Sequence, residues 1–167
     1  MDTICEQLVK GKNGSKFYLS LIGIVIALLV ISYLSLNFLF SFMIIIIPLS
    51  LYGAYKLLNY LTVEYEYIIV NGSLDLDIIY GKSSRKRLGS FELSDVESIE
   101  KYNGETLDKN RYKKIIIACD AKSDEAYKIV FNKDSAVSIA IMTPNEKTRA
   151  SIVKFVPKYV GNTAFKS

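Results

Sequence analysis

Hydrophobic patterning divides this chain into three regimes. From Phe17 to Tyr55 there is no Asp, Glu, Lys or Arg. As one helix that run would be roughly 58 Å long at ~1.5 Å per residue, about twice the ~30 Å hydrocarbon core of a bilayer, so the pattern predicts two crossings. Asn37 stands near the middle of the run. It separates a first span, Phe17 to Leu36, from a second, Phe38 to Leu58, with a tight reversal between them.

From Glu64 the period drops to two. Tyr65, Tyr67 and Ile69 alternate with Glu64 and Glu66, and beyond Asn71-Gly72 the residues Leu74, Leu76 and Ile78 alternate with Asp75 and Asp77. This pattern predicts a hairpin with a type I' turn. Further strands are expected over Arg85 to Leu93, Val96 to Tyr102, Lys113 to Asp120, Tyr127 to Phe131 and Ala136 to Met142, about seven in all. Polar turns at Asn103 to Asn110, Ala121 to Glu125 and Asn132 to Ser135 separate them.

The third regime is helical. Thr143-Pro144-Asn145-Glu146 reads as a capping box with Thr143 as the cap and Pro at the first helical position. An apolar stripe of Ile152, Val153 and Val156 follows, and Pro157 ends it. The expected organisation is a cytosolic segment at 1–16, a two-helix transmembrane hairpin at 17–58, a cytosolic domain at 64–160 and a tail at 161–167.

Charge orients the hairpin. Lys10, Lys12 and Lys16 precede the first span and Lys56 lies near the end of the second, while the reversal is uncharged. The positive-inside tendency places both termini in the cytoplasm, with Tyr18, Tyr55 and Tyr60 at the inner interface and Tyr33 at the outer one. A cleaved signal peptide fits less well, because the apolar stretch is too long and lacks an A-x-A-like site. No Asp, Glu, Lys or Arg lies in the interior of the spans, from Phe17 to Tyr55, which argues against a transport path. Folding the run about Asn37 brings Gly23 to the depth of Gly53, and Ala27 to that of Ser50. These four are candidate helix-packing positions. Pro48 is expected to kink the second helix.

Seven short antiparallel strands and a closing helix are the order of a pleckstrin-homology-type fold: an α+β protein with a bent sheet capped by its C-terminal helix. The runs Glu64-Tyr65-Glu66-Tyr67, Asn71-Gly72-Ser73-Leu74-Asp75-Leu76-Asp77, Arg85-Lys86-Arg87-Leu88 and Pro144-Asn145-Glu146-Lys147 resemble an uncharacterised family of small Gram-positive bacterial two-pass membrane proteins that carry a bacterial PH-like domain. The resemblance covers most of the chain after residue 60 and, weakly, the hairpin. It implies a membrane-tethered PH-like module and supplies no catalytic residues.

Composition narrows the chemistry further. The net charge of +4 is too small for a phosphate-tracking surface, so nucleic acid is not an expected partner. With no His and only Cys5 and Cys119, the usual zinc patterns are missing and no metal or cofactor is expected. Gly81-Lys82-Ser83-Ser84 imitates the end of a P-loop, but Leu76 stands where its first glycine is required. Asn71-Gly72-Ser73 and Asn13-Gly14-Ser15 spell glycosylation sequons, yet on the cytosolic side the first is read as a turn. Asp75 and Asp77 share a strand face, where they could pair with Lys or Arg on the neighbouring strand; they are read as a solvated face rather than as an acid and base.

Lys82, Arg85, Lys86 and Arg87 form the densest basic cluster. One reading has it contacting anionic lipid headgroups or an acidic partner, and the other has it blocking strand pairing at an exposed edge. The expected protein is not an enzyme. It is a binding or scaffolding module in the cell membrane whose partners are the bilayer and another membrane protein. The alternative is a small accessory subunit of a transporter or secretion complex, engaged through the hairpin.

Overall fold

The computed structural model describes residues 4–11, 15–38, 40–108, 111–120, 123, 125–133 and 135–165. Lys12, the Asn13-Gly14 pair, several positions of the expected loops (109, 110, 121, 122, 124 and 134) and the last two residues of the tail lie outside them. The chain separates into two compact units. One comprises Met1–Gly11, Glu64–Ile79 and Arg85–Ser167, and the other Lys12–Val63 and Tyr80–Ser84.

The first unit is built on two four-stranded sheets. Strands β1 (Ile4–Lys10), β2 (Val63–Val70), β3 (Ser73–Tyr80) and β4 (Ser84–Glu92) lie in that order. Strands β5 (Val96–Lys101), β6 (Lys114–Ile117), β7 (Tyr127–Lys133) and β8 (Ala136–Met142) are arranged β5-β7-β8-β6. Asn71 and Gly72 both take positive φ, 50° and 95°, as a type I' turn requires, and the expected hairpin forms. Alternation buries Tyr67 and Ile69 of β2 and Leu74 and Leu76 of β3 against Phe91, Phe131, Ile129 and Met142. Phe91 and Phe131 stack with ring centres 3.8 Å apart.

Two features of the sheets depart from expectation. Residues 4–10, expected only as part of an N-terminal segment, form β1, which pairs antiparallel with β2 from Ile4↔Val70 to Lys10↔Glu64. Cys5 joins the core and Val9 packs against it. Eight strands rather than seven are therefore present among the described residues. The second departure is β6, which runs parallel to β8 in an otherwise antiparallel pattern. Both β6 and β8 run opposite to β7, one face of which is already taken by β5, so the open edge of β8 receives β6 in parallel.

Helix α3 (Glu146–Phe155) closes this unit. Its cap is Asn145, whose side chain accepts from the Thr148 amide at 2.8 Å, and not Thr143. Thr143 precedes a proline, which disfavours helical backbone there, and its main chain is used elsewhere. Its amide donates to the Tyr67 hydroxyl at 3.1 Å and its carbonyl accepts from Gln7 Nε2 at 2.9 Å. Ile152 and Val156 are buried as expected, whereas Val153 is 40% exposed. The helix ends before Pro157, and a one-turn α4 (Lys158–Gly161) follows.

The second unit holds two apolar helices, α1 (Ser15–Phe38) and α2 (Met43–Leu61), joined through a 3-10 turn at Phe40–Phe42. Both are long and apolar enough to cross a membrane. The reversal falls later than Asn37, which stays in α1. A polar side chain need not break an apolar helix when it can return to the preceding turn, and Asn37 Nδ2 donates to the Tyr33 carbonyl at 2.8 Å. Pro48 lies within α2.

Candidate functional site

The charged residues of the first sheet meet as a ladder across three strands. On β4, Arg87 Nη2 lies 2.9 Å from Asp75 Oδ2 and its Nε donates to Asp77 Oδ1 at 3.2 Å. Arg85 Nη2 donates to Glu66 Oε1 at 2.8 Å and sits 2.7 Å from Oε2, an oxygen with no hydrogen bond of its own among the described residues. The carboxylates lie deep and the arginines cover them: Glu66 and Asp77 are 2% and 3% exposed, whereas the arginine side chains remain more than half exposed. Burial raises the Glu66 pKa above the usual glutamate value, and a hydrogen bond that protonated Glu66 donates to Glu6, with the charges of Glu6 and Asp77, adds to this against the opposing pull of Arg85.

This ladder alters the reading of the basic cluster. Arg85 and Arg87 are already neutralised by β2 and β3 carboxylates, so the four do not act as one free patch. Lys82 and Lys86 remain without a carboxylate partner among the described residues. Lys82 occupies a left-handed position, φ 60°, in the β3–β4 turn, and Lys86 is exposed. Because a strand rather than a helix follows Gly81-Lys82-Ser83-Ser84, the P-loop likeness has no structural counterpart.

The same turn packs on the end of α2. Tyr80 stacks on Tyr60 with ring centres 5.6 Å apart, and the Gly81 amide donates to the Thr62 carbonyl at 2.9 Å. Gly81 has φ +57°, and a Cβ there would stand 2.9 Å from the Asn59 carbonyl oxygen, so only glycine allows this approach.

The candidate helix-packing residues are not brought together. A Cβ built on Gly23 or Gly53 meets nothing within 4 Å, and Ala27 is exposed. The less exposed positions of α1 include Leu21, Ile24, Leu28, Ile31 and Ser35, and those of α2 include Met43, Ile47, Ser50, Ala54 and Leu58. With α1 and α2 in contact, this spacing of three to four residues is the seam that a helical period lays down. Of the four candidates only Ser50 is on it, its hydroxyl donating to the Ile47 carbonyl at 2.8 Å.

One feature escaped the sequence reading. A cavity of about 300 Å³ is lined by Lys113, Lys114, Lys133, Ser90 and Ser138 above Ile116 and Phe131. Its lysines are scattered along the chain and converge only through the strand order of the second sheet. The buried nucleophiles lie elsewhere. Desolvation pushes the Cys119 thiol up to about 12, keeping it protonated, and the Tyr67 hydroxyl likewise to about 12. Tyr67 accepts from the Thr143 amide and donates to the Ala118 carbonyl, a structural hub.

A family model described as Bacterial PH-like domain (DUF6106) matches residues 1–162, taking in β1, both apolar helices and the sheets. The chain belongs to this family. No curated protein and no solved structure matches it. The match is consistent with the α+β architecture and suggests a binding or scaffold module, with the two apolar helices inside the matched region.

Proposed function

We propose that this PH-like protein is a membrane-anchored binding or scaffolding module at the inner face of the cell membrane. One observation carries the reading: α1 and α2 are inserted between two hydrogen-bonded neighbours, β1 and β2, with Lys10 opposite Glu64. The ends of the apolar pair must therefore meet on one side, which an even number of crossings satisfies and a single crossing does not. Lys10, Lys12, Lys16 and Lys56 favour the cytoplasmic side for those ends.

Cysteine labelling tests the topology. In intact cells a membrane-impermeant maleimide is expected to modify Ser41→Cys, which is exposed in the reversal, and to reach a cysteine appended after Ser167 only once the cells are permeabilised. Protection of Ser41→Cys in intact cells would overturn the two-pass anchor.

A second reading is favoured by the open outer face of α1, where Gly23 and Ala27 leave backbone uncovered. Small residues of this kind let another transmembrane helix approach closely, as an accessory subunit of a larger membrane complex would need. A photo-crosslinker at Ala27 and one at Lys86 separate the two. The module reading expects the partner to be captured from Lys86, and the subunit reading expects it from Ala27.

A further inference from the structure

The lysine-lined cavity lies between β4 and the second sheet, wholly within the first unit. Lys114 Nζ donates to the Leu88 carbonyl at 2.6 Å and Lys133 Nζ to the Ser90 carbonyl at 2.7 Å. These carbonyls are two residues apart on one strand and so roughly 6.6 Å apart, pointing the same way. Two ammonium groups are thereby fixed side by side at β4. A carbonyl holds an ammonium without neutralising it, and among the described residues each lysine keeps two of its three donors. Among the described residues, no acidic side chain lines the cavity.

A Cβ on Gly89 would overlap the flexible end of Ile116 and stand 3.4 Å from Lys114 Nζ, an ordinary contact, so the strand at Gly89 runs directly beneath the cavity wall. Charge-assisted N–H···O bonds of about 2.7–2.9 Å let one tetrahedral group bridge ammoniums at this spacing. Planar carboxylates are better matched by the arginine fork, and among the described residues no arginine lines the cavity. Ser90 and Ser138 add hydroxyl donors.

We infer that this cavity receives a phosphate group, carried either by a lipid headgroup or by a soluble phosphorylated molecule. The inference gives the proposed binding module a ligand class, and it rests on the membrane reading only for the lipid source.

The test uses the full chain in phosphatidylcholine nanodiscs, observing the δ1 methyl resonance of Ile116 at the cavity wall. In one arm inorganic pyrophosphate is titrated, and in the other phosphatidic acid replaces part of the lipid. A saturable displacement is expected in at least one arm, and the arm that responds names the source. Lys114→Gln and Lys133→Gln should each weaken it at least about tenfold, the loss of one charge-assisted bond. Lys82→Gln with Lys86→Gln, outside the cavity, should leave it unchanged. Ser90→Glu places a carboxylate among the lining residues without removing either lysine, and should abolish it even if a lysine variant fails to fold. No displacement in either arm overturns the inference, as does equal displacement in the Ser90→Glu protein. A failed topology test with an intact pyrophosphate response would remove the membrane reading and leave the cavity's ligand class standing.

Discussion

Glu66 is a carboxylate almost wholly out of water, and its neighbours decide what it contributes. A raised folded pKa means that the folded protein holds the proton more tightly than the unfolded chain. The associated stability is complete below the ordinary value of 4.5 and is lost as pH rises through the folded value. Glu100 works in the opposite sense, since the hydrogen bond from Lys128 lowers its pKa. Its contribution is present above 4.5 and disappears as pH falls through the folded value. Urea midpoints measured against pH should therefore lose their decline above 4.5 in Glu66→Gln, and identical profiles for this variant and the parent would rule the assignment out. Arg85→Ala, which strands the buried acceptor, should cost about 1–3 kcal/mol at neutral pH. At the head of α3, Asn145→Ala should cost about 0.5–2 kcal/mol through loss of the cap. The same measurement on Thr143→Ala should show less, because the main-chain bonds to Tyr67 and Gln7 survive the change and only the 3.4 Å contact of its hydroxyl with the Tyr67 hydroxyl is lost.

Among the elements, the hairpin β2–β3 and the strands β4, β5, β6, β7 and β8 were legible because alternation, the apolar run at β6 and the Asn71-Gly72 turn are local signals. Strand β1 was not. Ile4-Cys5-Glu6-Gln7-Leu8-Val9-Lys10 lacks clean alternation, and its partner β2 lies beyond both apolar helices, a pairing that no window along the chain contains. The reversal after α1 was misplaced for a related reason, since Asn37 reads as a breaker until its bond to Tyr33 is seen. The helix seam was misjudged because matching small residues by depth ignores which way each helix face points. These differences predict a contrast between glycines. Gly23→Leu should leave the thermal midpoint of the detergent-solubilised protein unchanged, as a side chain there meets open space. Gly81→Val, strained at φ +57° and pressed on Asn59, should lower it clearly, and equal midpoints would mean that the turn does not pack on α2.

For the molecule as a whole, the pairing of Lys10 with Glu64 makes the apolar pair an insertion at a β-turn position. A protein in which Lys10 is joined to Glu64 through Asn-Gly should therefore close the first sheet with a two-residue turn and stay soluble without detergent. A fragment beginning at Glu64 should aggregate instead, because it exposes the bonding edge of β2 and removes Cys5 and Gln7 from the core and the head of α3. Light scattering of the two proteins at equal concentration checks this, and a soluble fragment alongside an aggregated joined protein would count against β1 as part of the domain. The lysine cavity also belongs to this scale. Its cationic side chains come from β7 and from β6 with the residue before it, against β4, and nothing in their spacing along the chain announces that they meet.

The β1–β2 pairing also sets an order for biogenesis. The ribosome makes β1 first and its partner only after both apolar helices, and at about 5–20 residues per second the wait is on the order of seconds. Throughout that time Ile4 and Leu8, exposed even in the finished sheet, belong to an unpaired strand. If the helices cross as proposed, a pair that inserted only once would leave β1 and β2 on opposite sides, and the first sheet could never close. Completion of the sheet then reports correct insertion, and a misinserted chain would present the cell's quality-control proteases with an unfolded domain.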